Sequence, residues 1–222
     1  MTERIVEDRV TDAEPSSRGK NMLRRRLLPG ALVLLVSAVG DLTAQATGTT
    51  TFNAPYRAFS GSEFGILLSF PNGGGTAFEG AYRVSSGRFD IGFKGGILDA
   101  SGPGNAVLLI GTEARERVLT HSADFPLDGA LILGVGGRFV SGNSELIIPV
   151  GLSLGRRLDT QSSVSIVPYV QPTMFVTVDG GSDVLFALGL GADFRLSHSF
   201  DLRLSAGLGD VEGVSLGAVW VH

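Results

Sequence analysis

The chain has 222 residues, a formal charge of −4, 43% hydrophobic residues, 32 glycines and no cysteine. Without cysteine there is neither a disulfide nor a thiolate metal site, so an exported chain of this kind must be held by its backbone ladder and packing. The acidic balance, with no basic stripe, excludes a surface that tracks nucleic-acid phosphates.

Residues 1–21 are charged, lack apolar periodicity and include Pro15-Ser16-Ser17-Arg18-Gly19. Such a segment cannot bury a core and is expected to be a disordered or non-native extension, with Met22 the true start. Arg24, Arg25 and Arg26 then form a basic head, an apolar run extends from Leu27 to Val39, and Ala44-Gln45-Ala46 supplies a small-x-small cleavage site. That order predicts a signal peptide over 22–46, because the run is well short of the roughly 20 residues a spanning helix needs. Cleavage after Ala46 leaves residues 47–222, with 11 Lys or Arg against 16 Asp or Glu, a length suited to one domain. Residues 47–61 are rich in Thr, Ser and Gly and are expected to be a short N-terminal segment or the start of the first strand.

Ten segments then alternate apolar with polar or small residues: 62–70, 76–84, 88–97, 105–117, 129–140, 144–157, 162–178, 183–196, 200–209 and 213–221. A period of two is the mark of a strand with unlike faces. Turn-forming residues separate them, among them Pro71-Asn72-Gly73-Gly74-Gly75, Ser85-Ser86-Gly87, Ser101-Gly102-Pro103-Gly104-Asn105, Ser141-Gly142-Asn143, Asp179-Gly180-Gly181 and Ser197-His198-Ser199. Links this short allow only antiparallel up-and-down pairing, since a parallel return needs a dozen or more residues. Pro168 and Pro172 are awkward inside a strand and are expected to mark a bulge.

The faces are legible strand by strand. Phe89, Ile91 and Phe93 oppose Arg88, Asp90, Gly92 and Lys94; Phe200, Leu202, Leu204, Ala206 and Leu208 oppose Asp201, Arg203, Ser205, Gly207 and Gly209. Alternation alone also suits a soluble lipocalin-like periplasmic binder, apolar side inward. The second face favours the inverse. Residues 47–222 contain a single lysine, Lys94, and 29 glycines, too little charge for a wetted outer surface but suitable for a crowded lumen. The predicted fold is therefore all-β: a closed antiparallel up-and-down transmembrane β-barrel over 62–222, ten strands with eight as the alternative.

The last strand sharpens this reading, with Val214, Leu216, Ala218, Trp220 and His222 alternating up to the terminus. On this pattern the chain resembles the small outer-membrane β-barrel proteins of Gram-negative bacteria, of the OmpA, OmpX and OmpW type. The resemblance implies an outer-membrane location, lipid contact, periplasmic chaperones, and an assembly machinery that reads a final strand ending on an aromatic, usually Phe. Here His222 takes that place and Trp220 supplies the aromatic two positions earlier.

The candidate functional residues form a charged set expected to face the lumen: Glu79, Arg83, Arg88, Asp90, Lys94, Glu113, Arg115, Arg138, Asp193, Arg195, Asp201 and Arg203. Both signs recur on adjacent strands, so cross-strand ion pairs can fill a barrel of this size. The expected role is a structural envelope protein with a filled lumen. A narrow channel for small solutes is the alternative, the same charges then setting selectivity. Catalysis finds little support: there is no GxSxG, HExxH or phosphate loop, and His121-Ser122 with Asp124 reads as a solvated turn, although a lipid-modifying enzyme would use such groups. Three histidines do not define a metal site, and no cofactor is expected. Tyr56, Tyr82 and Trp220 suit the membrane interface; Tyr169 falls on the inward face.

Overall fold

A computed structural model describes residues 46–55, 61–100, 106–160 and 164–222. The expected extension, most of the signal peptide including Ala44, Tyr56 and the 101–105 turn lie outside the described residues. Among the described residues eleven strands form in chain order: β1 (Glu63–Pro71), β2 (Thr76–Ser86), β3 (Phe89–Asp99), β4 (Ala106–Leu119), β5 (Asp128–Val140), β6 (Asn143–Gly155), β7 (Leu158–Asp159), β8 (Ser165–Val178), β9 (Ser182–Arg195), β10 (Phe200–Gly209) and β11 (Gly213–Val221). The two-residue β7 is a rim element that touches only the start of β8. The other ten make the wall.

Each wall strand pairs antiparallel with its successor, β6 passing directly to β8. The sheet closes because β1 also pairs antiparallel with β11, from Glu63 opposite Val221 to Pro71 opposite Gly213. Closure removes both sheet edges, which the hydrocarbon of a bilayer could not satisfy. The wall is thus the expected ten-stranded barrel. We call the end where β1 begins and β11 stops the lower end.

Short hairpins produce this topology, and three of the expected turn glycines, Gly87, Gly142 and Gly180, hold positive φ angles of 60°, 87° and 86°. Side chains of ordinary residues are strained there. The expected bulge at Pro168 and Pro172 does not form. β8 keeps one register with β9 throughout, and beside Pro172 the β6–β8 ladder skips pairs without slipping. A proline removes an N–H donor, and here the strand tolerates that loss in place. The register shift in β4–β5 lies instead between Arg117 and Leu119.

Polarity across the wall is inverted relative to a water-soluble barrel. Phe78, Phe93, Ile97, Leu133 and Val184 are more than half exposed on the outer surface. Arg83, Asp90, Lys94, Glu113, Arg115, Asp193, Asp201 and Arg203 are buried within. Near the lower end, cross-strand neighbours place Phe200, Trp220, Phe64, Tyr82 and Phe93 side by side over β10, β11, β1, β2 and β3. Trp220 lies 5.3 Å from Phe200 and 6.1 Å from Phe64 between ring centroids. Such a belt suits the headgroup level of a membrane.

Candidate functional site

The lumen is filled from two sources. In its lower half, side chains from neighbouring strands bond to one another. The Arg115 guanidinium grips Asp90 through two parallel bonds, Nε to Oδ1 at 3.1 Å and Nη2 to Oδ2 at 3.0 Å. Arg83 donates to the same Asp90 at 2.5 Å and to Glu113 at 3.1 Å, and its Nε lies 3.5 Å from Glu63. Across the lumen Arg203 forks onto Asp193 at 3.0 and 3.1 Å and reaches Glu63 at 3.4 Å. Glu63 therefore joins two arginine clusters. Arg195 faces Asp201 at 3.5 Å nearer the rim. Buried charges are tolerable only when each is met by an opposite charge in good geometry, and bidentate guanidinium–carboxylate pairs are the strongest such arrangement.

The second source is the chain itself. Residues 46–55 run down through the lumen with no strand pairing of their own, and Thr47, Thr49, Thr50, Thr51, Phe52, Asn53 and Ala54 are all buried. The wall meets the carbonyls of this segment one after another. Arg115 donates to Ala54 O at 3.3 Å, Ser153 to Asn53 O at 2.7 Å, Tyr169 to Phe52 O at 2.8 Å and Lys94 to Thr51 O at 3.1 Å. Ser205 and Ser215 both donate to Thr50 O, at 2.7 and 3.1 Å. Higher up, Arg138 donates to the carbonyls of Thr47 and Gly48. Asn53 N donates to Gln171 Oε1 at 3.1 Å, and Thr49 Oγ1 donates to Glu79 at 2.7 Å. A chain segment taken from water needs its backbone groups paired, and here wall side chains do the pairing.

Packing completes the fit. Phe52 and Ala54 enter a buried apolar cluster with Ile147, Val167, Tyr169, Phe175, Ala187 and Val211. Inner-face glycines supply the room: a Cβ at Gly189 would sit 2.3 Å from the Phe52 ring, and one at Gly136 would sit 2.0 Å from Ala46 O. Others admit long wall side chains, since a Cβ at Gly92 would lie 2.8 Å from the Arg83 guanidinium. The interior gap between Asn53, Glu63, Arg83, Lys94 and Arg203 measures about 10 Å³, room for one water.

The structure brings Glu79, Arg83, Asp90, Lys94, Glu113, Arg115, Arg138, Asp193, Arg195, Asp201 and Arg203 to the lumen, as their alternation implies. Arg88 is a correction. β3 begins at Phe89, so Arg88 lies in the β2–β3 turn, exposed, and donates to Arg117 O at 2.9 Å. Val214, Leu216 and Trp220 lie on the outer face of β11, and the His222 ring stacks on Tyr82 at 6.0 Å. His121 contacts Asp128 at 3.0 Å across the lower β4–β5 connection, while Ser122 Oγ accepts from Phe125 N of the same turn. At the lower rim, Ser165 and Arg157 hydrogen-bond the Asp159 carboxylate and hold it below the usual carboxylate range.

Sequence reasoning missed Glu63, Asn53, Gln171, Ser153, Ser215 and the threading of 46–55. One signal was present: Ser205 and Ser215 face each other across β10 and β11 on the inner face, with hydroxyls 2.6 Å apart, a polar pair that needs a further partner.

No protein-family model and no curated protein sequence matches the chain. Among solved structures, the chain is similar to the β-domain of the Bordetella autotransporter BrkA, with 13% identity and a TM-score of 0.45 over 73% of this chain and 100% of that one. It is also similar to a de novo designed transmembrane β-barrel, with 11% identity and a TM-score of 0.38 over 73% of this chain and 95% of that one. The neisserial surface protein NspA gives 10% identity and a TM-score of 0.28 over 72% of this chain and 94% of that one.

Proposed function

We propose that this chain is a small outer-membrane β-barrel protein of a Gram-negative bacterium, exported on a cleaved leader, with a structural role in the envelope and a closed lumen. The observation that carries this reading is the inverted wall: large apolar side chains outside, paired charges inside. Only a surrounding solvent without hydrogen-bonding capacity rewards that arrangement. An even number of wall strands leaves the lower end, with both strand termini, facing the periplasm. Lipids contact the outer belt, and the assembly machinery reads β11 with Trp220 as its aromatic. The lumen contents support a non-enzymatic role, since the ionic groups that fill it are held by one another and by residues 46–55.

Fractionation and conductance test this reading together. The protein should stay with washed membranes until detergent is added, migrate faster unboiled than boiled on a denaturing gel, and give no steady single-channel steps in planar bilayers. Release into the wash without detergent would refute the membrane assignment. Steady conductance by the intact chain would refute the closed lumen.

A further inference from the structure

The charged groups and glycines of the inner wall describe more than a filler. Ser205, Ser215, Lys94, Tyr169, Ser153 and Arg115 all aim at main-chain carbonyls, those of residues 50–54. Three polar side chains of the segment are met as well, Asn53 Oδ1 by Arg203, Thr51 Oγ1 by Lys94 and Thr49 Oγ1 by Glu79, so this wall recognises both the main chain and small polar side chains of a peptide. Phe52 alone inserts a large side chain, into a hollow that Gly189 leaves open. The segment holds its place without joining the strand ladder, so it could leave without breaking a wall hydrogen bond between strands.

We infer that the lumen is a peptide-binding site, that residues 47–55 are its resident ligand, and that Phe52 anchors them as a displaceable seal over an otherwise conducting pore. This rests on the membrane-barrel reading above and goes beyond it by assigning closure to one separable element. With the segment withdrawn, the wall groups that now hold its carbonyls would line a polar path for small solutes. The lower ion pairs would remain, since they bond chiefly to one another.

The experiment uses the mature chain carrying Phe52→Asp, which places a charge in the apolar hollow. Unboiled gel mobility and detergent dependence first report whether a membrane barrel has formed, independently of the seal. In planar bilayers the variant should show single-channel steps where the parent is silent. A synthetic peptide of residues 47–55 added to both chambers should abolish them. The same peptide with Phe52→Ala should block about thirtyfold more weakly, as expected for loss of an anchoring aromatic. Should Phe52→Asp fail to form a barrel, Phe52→Ala in the mature chain gives the same reading. A folded variant that stays silent would overturn the inference, because the wall network alone would then close the lumen. Equal block by the two peptides would overturn it too, because Phe52 would then be no anchor.

Discussion

The lower half of the lumen and the part above it meet one requirement, partners for buried charges and backbone groups, by different routes. Below, carboxylates and guanidiniums from adjacent strands meet directly: Asp90 on β3 with Arg115 on β4, and Asp193 on β9 with Arg203 on β10. Both are nearest neighbours in register. Above, Ser205, Ser215 and Lys94 reach residues separated from them by 155, 165 and 43 positions. The lower half is closed mainly by the wall's own ion pairs, with Arg115 and Arg203 also holding Ala54 O and Asn53 Oδ1. The upper part depends on a guest.

That contrast can be broken from below. Arg115→Met leaves the Asp90 carboxylate buried with Arg83 as its remaining partner, and should cost about 3 kcal/mol, read as a shift in the urea midpoint of micelle-folded protein. Adding Asp90→Asn should recover part of it. The upper part is tested by Gly189→Ala, whose new methyl meets the Phe52 ring; a cost of about 1–3 kcal/mol is expected. Phe52→Ala should relieve that clash, so a double-mutant cycle should show coupling of at least about 0.5 kcal/mol. Ser205→Ala removes one of two hydroxyls on Thr50 O and should cost about 1 kcal/mol in the same titration. Arg88→Ala, in an exposed turn, should stay within about 0.5 kcal/mol of the parent.

How much of this was legible follows from the range of each interaction. Strand positions and faces were readable because one side of each strand meets a uniform apolar medium, so Ile91 and Phe93 or Leu204 and Leu208 must alternate with inward residues whatever their neighbours. The ion pairs of the lower half follow once the strands are aligned. Arg88 was misplaced because alternation continues past a strand's end, and only the turn geometry tells where pairing stops. Pro172 misled because a missing donor in a ladder does not require an extra residue. Residues 46–55 were illegible as a lumen element: they have no period, and what fixes them is a set of partners spread over the wall from Glu79 to Ser215. Their threonines and Phe52 make sense only beside Lys94, Tyr169 and Gly189.

Everything above requires that alternate residues of one strand face lipid and lumen. The chain has no cysteine, so single-cysteine variants along β9 can carry a spin label without background. In reconstituted vesicles, collision with oxygen, which concentrates in the hydrocarbon, should be high at Val184, Phe186, Leu188 and Leu190 and low at Leu185 and Ala187. Uniform accessibility, or maxima at 185 and 187, would contradict the inverted wall.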